Sequence, residues 1–190
     1  MSATVTKLNY RIDAGKSRFA VRVFASGMLS ALGHSPTLAI QEFTGEATFA
    51  PGNPEQASIH IVVKSSSLEV TDDISRKDRT EIKNTMEREV LESSTYPEIT
   101  FQSSQVSLNM LGENRYAASV AGDLTLHGVT RSETISAQVT PSDDTLRANG
   151  EFSLRQSDYR IKLVSVAGGT LKVKDEVKIT FDLTARKQEG

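Results

Sequence analysis

The sequence predicts an all-β fold: an eight-stranded antiparallel β-barrel with one short inserted helix, built as a single domain over residues 1–190. Three observations carry that prediction. Apolar and polar residues alternate at period two in eight successive runs. Most runs are joined by short stretches rich in Pro, Gly, Asn and Asp, so sequence neighbours pair antiparallel as hairpins. Only one stretch switches to helical spacing. A series of sequential antiparallel strands removes its two exposed edges by closing on itself.

In the first run, SRFAVRVF, Phe19, Val21 and Val23 share one face and Arg18, Ala20 and Arg22 the other. In the second, Phe43, Gly45, Ala47 and Phe49 align, whereas Leu38 and Ile40 have the opposite parity, so a bulge or bend is expected near Gln41 or Glu42. The third places Ile59, Ile61 and Val63 inward and His60 outward. Then comes SRKDRTEIKNTMEREVLE, with Ile82, Met86 and Val90 at spacing four. Ser75 three residues before Asp78 resembles a capping box, and Lys77–Glu81 and Lys83–Glu87 stand at pairing distance on a helix. A helix is expected over about 76–91, its narrow apolar stripe laid across a barrel opening or flank.

The fourth run puts Ile99, Phe101, Val106, Leu108 and Met110 inward, with one parity change between 101 and 106. The fifth and longest aligns Tyr116, Ala118, Val120, Gly122, Leu124 and Leu126. Ile135, Ala137 and Val139 form the sixth; Leu146, Ala148, Gly150, Phe152 and Leu154 the seventh; Val177, Ile179, Phe181 and Leu183 the eighth. Turn signals stand at Pro51-Gly52-Asn53-Pro54, Gly112-Glu113-Asn114 and Pro141-Ser142-Asp143-Asp144. The stretch QSDYRIKLVSVAGGTLKVK is long for a hairpin loop. Gly168-Gly169 makes it pliable, and long loops at a barrel mouth are often functional.

Composition narrows the function. The chain can bury a sizeable core without staples. A net charge of -2 leaves no basic excess for a phosphate backbone, so a nucleic-acid partner is not expected. There is no cysteine, which removes disulfides, thiolate nucleophiles and zinc–thiolate sites. No apolar run approaches a membrane span, and MSATVTKLNYRIDAGKS shows neither a basic start nor an apolar stretch, which predicts a cytoplasmic protein.

An eight-stranded barrel is just wide enough to be filled by side chains or to hold one small ligand. Gly45, Ala47, Ala118, Gly122, Ala137, Ala148 and Gly150 are small inward positions. Singly such residues can mark bends; together they leave room along the axis. The expected lining of that tunnel is Phe19, Val21, Phe43, Phe49, Ile61, Met86, Phe101, Val120, Leu124, Leu126, Phe152, Val177 and Phe181. With no Trp and few Tyr, the interior reads as a hydrocarbon sleeve for a chain-like lipid. Burial there contributes about 0.8 kcal/mol per methylene before entropy costs.

Polar candidates are few. In GDLTLHGVTRS, parity sets His127 with Asp123 and Thr125, on the outer face or rim, hydrogen-bonded locally. Arg155 and Asp158 in LRQSDYRI read either as a rim cluster with Tyr159 or as a local turn in which Ser157 or Asp158 bonds backbone amides. Asp78 and Arg79 read as a cap and a solvated face. His34-Ser35, between Gly33 and Pro36, reads as a loop. No nucleophile motif, phosphate loop or paired metal-spaced histidines occur, so no catalytic residue, metal or cofactor is expected.

The chain resembles the YceI-like family of isoprenoid-binding proteins. The likeness rests on YRIDAGKSRFAV, YPEITFQS at 96–103, GDLTLHGVTRS at 122–132, LRQSDYRI at 154–161 and VKDEVKITFDL, spread along nearly the whole length. It implies an extended lipocalin-like barrel whose tunnel holds a polyprenyl chain, quinone-like lipid or fatty amide. Two departures stand out. The family often carries a signal peptide, which would place a member in the periplasm. Near the helix it commonly shows an Arg-Asp pair followed two residues later by His, where this chain reads Arg76-Lys77-Asp78-Arg79-Thr80-Glu81. Three readings stay open: a lipid-binding or carrier barrel, which the residues favour; an enzyme acting on a lipid inside it; and a structural or partner-binding β-domain with a packed interior. A homodimer is compatible with a barrel of this kind, though no exposed apolar stripe demands one.

Overall fold

The computed structural model describes residues 7–27, 35–50, 53–166 and 171–189. Its strands are β1 (Leu8–Ile12), β2 (Arg18–Gly27), β3 (Thr37–Ile40), β4 (Phe43–Phe49), β5 (Ser58–Lys64), β6 (Leu68–Val70), β7 (Glu98–Gly112), β8 (Arg115–Leu126), β9 (Val129–Pro141), β10 (Thr145–Arg155), β11 (Ser165–Val166) and β12 (Leu171–Lys187). Hydrogen bonding runs β1-β4-β5-β7-β8-β9-β10-β12 and returns from β12 to β1, which closes an eight-stranded antiparallel barrel.

Eight staves account for the twelve described strands because three of them are broken and the two-residue β11 pairs only with β12, off the barrel path. A 3-10 turn at Ala14–Lys16 separates β1 from β2, Gln41-Glu42 separates β3 from β4, and a turn at Ser65–Ser67 separates β5 from β6. β3 pairs with β2 and β6 with β3, so the broken halves stay in step. The 17-residue β12 spans the first break, pairing with β2 along one part and with β1 near its end. Strand breaks leave main-chain groups without ladder partners, and buried serines supply them. Ser17 Oγ donates to the carbonyls of Asp13 and Thr184, Ser65 Oγ to Tyr96, and Ser67 Oγ to Glu42. The parity change at Gln41-Glu42 is therefore a break between two strands rather than a bulge within one.

The change expected between 101 and 106 is a register shift between Ser103 and Gln105 against β8. One inward assignment fails further along β7. Met110 is 70% exposed, because the β7–β8 hairpin carries a second irregularity near Gly112 and Leu111 beside it is exposed too. The helix falls where its spacing puts it: α1 covers Arg76–Thr85 and continues as a π-turn over Met86–Val90. Ser75 Oγ accepts the Asp78 amide at 3.1 Å, as the cap requires. Lys83 reaches Glu87 at 4.0 Å, whereas Glu81 enters no ion pair with Lys77.

Topology sorts the connections. The β7–β8 and β9–β10 turns lie at one end; the β8–β9 turn, α1 and the connection after β10 lie at the other, the mouth. There the wall is not fully zipped. β9 and β10 pair only over 137–141 and 146–150. A 3-10 turn, Gln156–Tyr159, packs where they diverge, with Tyr159 fully buried and its hydroxyl donating to Glu133 Oε1 of β9 at 2.7 Å.

Candidate functional site: an apolar cavity and its mouth

Inside the barrel lies a cavity of about 760 Å³. Its wall carries Phe19, Val21, Phe49, Ile61, Met86, Phe101, Val120, Leu124, Leu126, Phe152, Val177 and Phe181. Phe43 is not on the wall. Its ring sits edge-on against Phe19, 5.0 Å between centroids, and is buried in the packed layer. Several wall residues, such as Val21, Ile61, Val120 and Phe181, are only partly buried although they point inward; the surface they leave free faces the cavity.

The small inward residues divide into two kinds. Ala47, Ala118, Ala137 and Ala148 line the cavity and widen it. The glycines do not open it, contrary to the axial-room expectation. A Cβ on Gly122 would fall 2.7 Å from Phe101 Cζ and 2.4 Å from the Gln102 carbonyl oxygen. One on Gly150 would fall 2.7 Å from Phe181 Cζ, and one on Gly45 would fall 2.5 Å from Ile12 Cδ1. The glycines seat neighbouring side chains and let strands approach.

His127 occupies the mouth but not the cavity. Leu126 pairs with Val129, so His127-Gly128 is a two-residue hairpin loop, and both residues have positive φ (51° and 71°) as a type I′ turn demands. That backbone turns the imidazole onto the end of the barrel, at the rim rather than on the outer face, the second of the two places that parity allowed. Its bonds are long-range rather than local: Nδ1 donates to the Tyr159 carbonyl at 3.2 Å, and Nε2 lies 2.5 Å from Glu92 Oε2 with one proton between them. The side chain is 9% exposed. Tyr96 packs on the same corner, its ring 4.7 Å from the imidazole and directly over Gly128. His127 is thus a clasp between the segment following α1, the β8–β9 turn and the segment following β10.

Arg155 and Asp158 are exposed and stay off the cavity wall. Residues 156–159 form a 3-10 turn, but its polar side-chain bonds run to another strand rather than within the turn. Asp175 of β12 takes the Ser157 hydroxyl at 2.6 Å, the Ser157 amide at 2.7 Å and Arg155 Nε at 3.0 Å. The Ser157 hydroxyl, its amide and the Arg155 guanidinium hold the Asp175 carboxyl below the usual carboxylate range. Burial first, and then the bond to Glu133, push the Tyr159 hydroxyl well above the ordinary phenol value. His34 and Gly168-Gly169 lie outside the described residues. His60 is exposed on β5, and no histidine lines the cavity or joins a metal-ligand cluster among the described residues.

Sequence reasoning missed the polar groups on the wall. Gln156 is buried there, its Nε2 donating to the Lys174 carbonyl at 2.9 Å, and Asp72, Asp78 and Glu81 border the cavity from α1 and the segment before it. The positions of Asp78 and Glu81 depend on how α1 is rotated against the barrel, which its narrow apolar stripe did not specify, and Gln156 and Asp72 are placed by long-range bonds to Lys174 and Thr37.

The family model of the YceI-like domain matches residues 10–185. The chain belongs to the YceI-like family. A UPF0312 protein of Yersinia enterocolitica is 30% identical over 148 residues, 78% of this chain and 65% of that one. A UPF0312 protein of Yersinia pestis matches to the same extent. The chain thus spans about two-thirds of the length of these relatives, 65%. Among solved structures, Burkholderia cenocepacia BcnA superposes with a TM-score of 0.70 at 21% identity, covering 91% of this chain and 98% of that one. A polyisoprenoid-binding domain from Saccharophagus degradans gives 0.65 at 16%, covering 94% and 98%. The Campylobacter jejuni YCEI protein gives 0.60 at 14%, covering 80% and 85%. These likenesses establish the YceI-like barrel. No helix among the described residues is long and apolar enough to cross a membrane.

Proposed function

We propose that this YceI-like chain binds or carries one long-chain apolar lipid in its barrel, of polyprenyl, quinone-like or fatty-amide type. The observation that carries the reading is the unfilled cavity of about 760 Å³, walled by Phe, Leu, Ile and Val. That volume lies within the range of ligand pockets, about 300–1,000 Å³. A hydrocarbon chain gains about 0.8 kcal/mol per methylene buried against such a wall. The packed-interior alternative needs a filled lumen and does not fit this cavity. The Saccharophagus degradans domain, named for polyisoprenoid binding, has the same fold and supports the ligand class.

Carriage is favoured over catalysis. Among the described residues the wall presents no His, Lys or Arg, and its hydroxyls lack a neighbouring base of the kind that activates a nucleophile. The test is solvent extraction of the purified protein followed by mass spectrometry of the extract. A stoichiometric long-chain lipid is expected. A clean extract, together with no uptake of added polyprenyl or quinone lipids, would refute the proposal. Time-dependent conversion of the bound lipid would move the assignment to an enzyme.

A further inference from the structure

We infer that the cavity selects its ligand by head group, accepting a long chain with a cationic, hydrogen-bond-donating head, such as a protonated primary amine, over one ending in carboxylate or phosphate. The inference rests on the lipid-binding reading above. The site is the cavity itself; the inference concerns the charge at its mouth.

α1 turns one stripe toward the cavity: Asp78, Glu81, Ile82, Thr85 and Met86, at spacings of three and four. The stripe begins with carboxylates and continues as hydrocarbon. Asp72, on the segment entering the helix, also lines the cavity, held there by the Thr37 amide at 2.7 Å. Every charged side chain on the wall, among the described residues, is therefore a carboxylate.

Two cations of α1, Arg79 and Lys83, are engaged elsewhere. The Arg79 guanidinium donates to the carbonyls of Val70 and Asp72. Lys83 pairs with Glu69 at 3.1 Å and Glu87 at 4.0 Å. Arg76, Lys77 and Arg88 are exposed and line an outer groove that shares Glu81 and Thr85 with the cavity wall. A helix N-terminus ordinarily attracts anions, but here the Ser75 hydroxyl oxygen takes the Asp78 amide, and the Asp78 carboxylate already occupies that position. Glu81 has no hydrogen bond or ion pair among the described residues. It is free to meet a ligand.

A chain drawn into the sleeve leaves its head at this rim, where Asp72 is half-buried and Asp78 and Glu81 are exposed, so their charges act in partly solvated, salt-screened surroundings. An anionic head meets like charge there. A carbonyl-only head, as in a quinone, finds carboxylates that cannot donate to it. An ammonium finds both opposite charge and acceptors.

The experiment uses the delipidated full chain and four probes of one chain length: a primary amine, a primary amide, a carboxylate and a monophosphate. Each is titrated below its micelle concentration by calorimetry. The amine is expected to bind at least about tenfold more tightly than the carboxylate, which corresponds to about 1.4 kcal/mol. That ratio should fall toward one in Glu81→Gln and in Asp78→Asn, and should shrink with added salt. Two variants guard against misfolding of either, and a melting curve checks both. Carboxylate or phosphate binding as tight as the amine's would overturn the inference. So would a ratio unchanged in both variants. If all four probes, including the neutral amide, fail to bind the wild-type chain, the lipid-binding reading itself falls.

Discussion

Replacing Gly122 with alanine adds one methyl group to β8 and tests what the inward glycines are for. Built on this backbone, the methyl carbon lies 2.4 Å from the Gln102 carbonyl oxygen, 2.7 Å from Phe101 Cζ and 2.8 Å from Ser103 Cα. Two of those atoms belong to the backbone of β7, so no rotamer change relieves the contact; the strand pair must separate. Overpacking of this kind costs about 1–3 kcal/mol. For a chain of this size each kcal/mol lowers the melting temperature by roughly 2–4 °C. Denaturant titration followed by far-ultraviolet circular dichroism should show a lower midpoint at unchanged slope, which isolates stability from a change in compactness. Gly150→Ala should behave alike, since its methyl would lie 2.4 Å from the Ser136 carbonyl oxygen. Lipid retention should change only as far as the fold does. If Gly122→Ala is as stable as wild type yet loses its lipid, the space over this glycine belongs to the ligand, and the seating of Phe101 described above is wrong.

Other outcomes follow from the same geometry. Ala137→Leu projects into the cavity, so it should keep stability within about 1 kcal/mol while reducing the lipid recovered by extraction. Leu124→Asp buries a carboxylate with no partner and should cost at least about 3 kcal/mol, leaving little folded protein by circular dichroism; a soluble, folded variant would mean that the faces of β8 are assigned in reverse. His127→Ala removes both bonds of the clasp and should cost about 1–3 kcal/mol, while His127→Asn, which tolerates the positive φ, separates the backbone share of that loss. The Asp175 carboxyl has a lower pKa folded than unfolded, so its support of the 156–159 turn is present above the ordinary carboxylate value and is lost as pH falls through the lowered one. The protection factor of the Ser157 amide, the intrinsic exchange rate at each pH divided by the observed one, should fall on acidification in the wild type, and should be low already at neutral pH in Asp175→Asn.

Much of the barrel was legible because period-two alternation reports strand faces directly. The eight runs correspond to the eight staves, and the Ser75–Asp78 cap marked the start of α1. The breaks were not legible. Alternation resumes on either side of Ala14–Lys16 and Ser65–Ser67, and the serines that repair those gaps look like ordinary surface residues in sequence. β1 was missed because LNYRI is five residues long and offers only Tyr10 and Ile12 as a buried pair. Parity also fails where the backbone leaves the strand region. It left His127 on the outer face or the rim without deciding between them, whereas two successive positive φ values swing that side chain over the mouth. For Gly122 parity gave the right direction, but direction does not reveal which neighbour already fills the space.

The stretches that carry the family resemblance do not form the wall alone; they also build the corner beside it. Tyr96 of YPEITF lies over Gly128 and against His127 of GDLTLHGVT, and His127 bonds the Tyr159 carbonyl of LRQSDYRI. Asp175 of VKDEVKITFDL then anchors Ser157 and Arg155. These contacts fix how the mouth segments leave the barrel, so the resemblance identifies a fold and the hinge points of its rim. A hydrocarbon wall distinguishes chain-like ligands weakly, because one methylene more or less changes burial by only about 0.8 kcal/mol. On the proposed reading, discrimination between lipids would fall to the rim, where Asp72, Asp78 and Glu81 stand. If the barrel holds a lipid as proposed, what is particular to this chain lies in the charge at its mouth rather than in the shape of its wall.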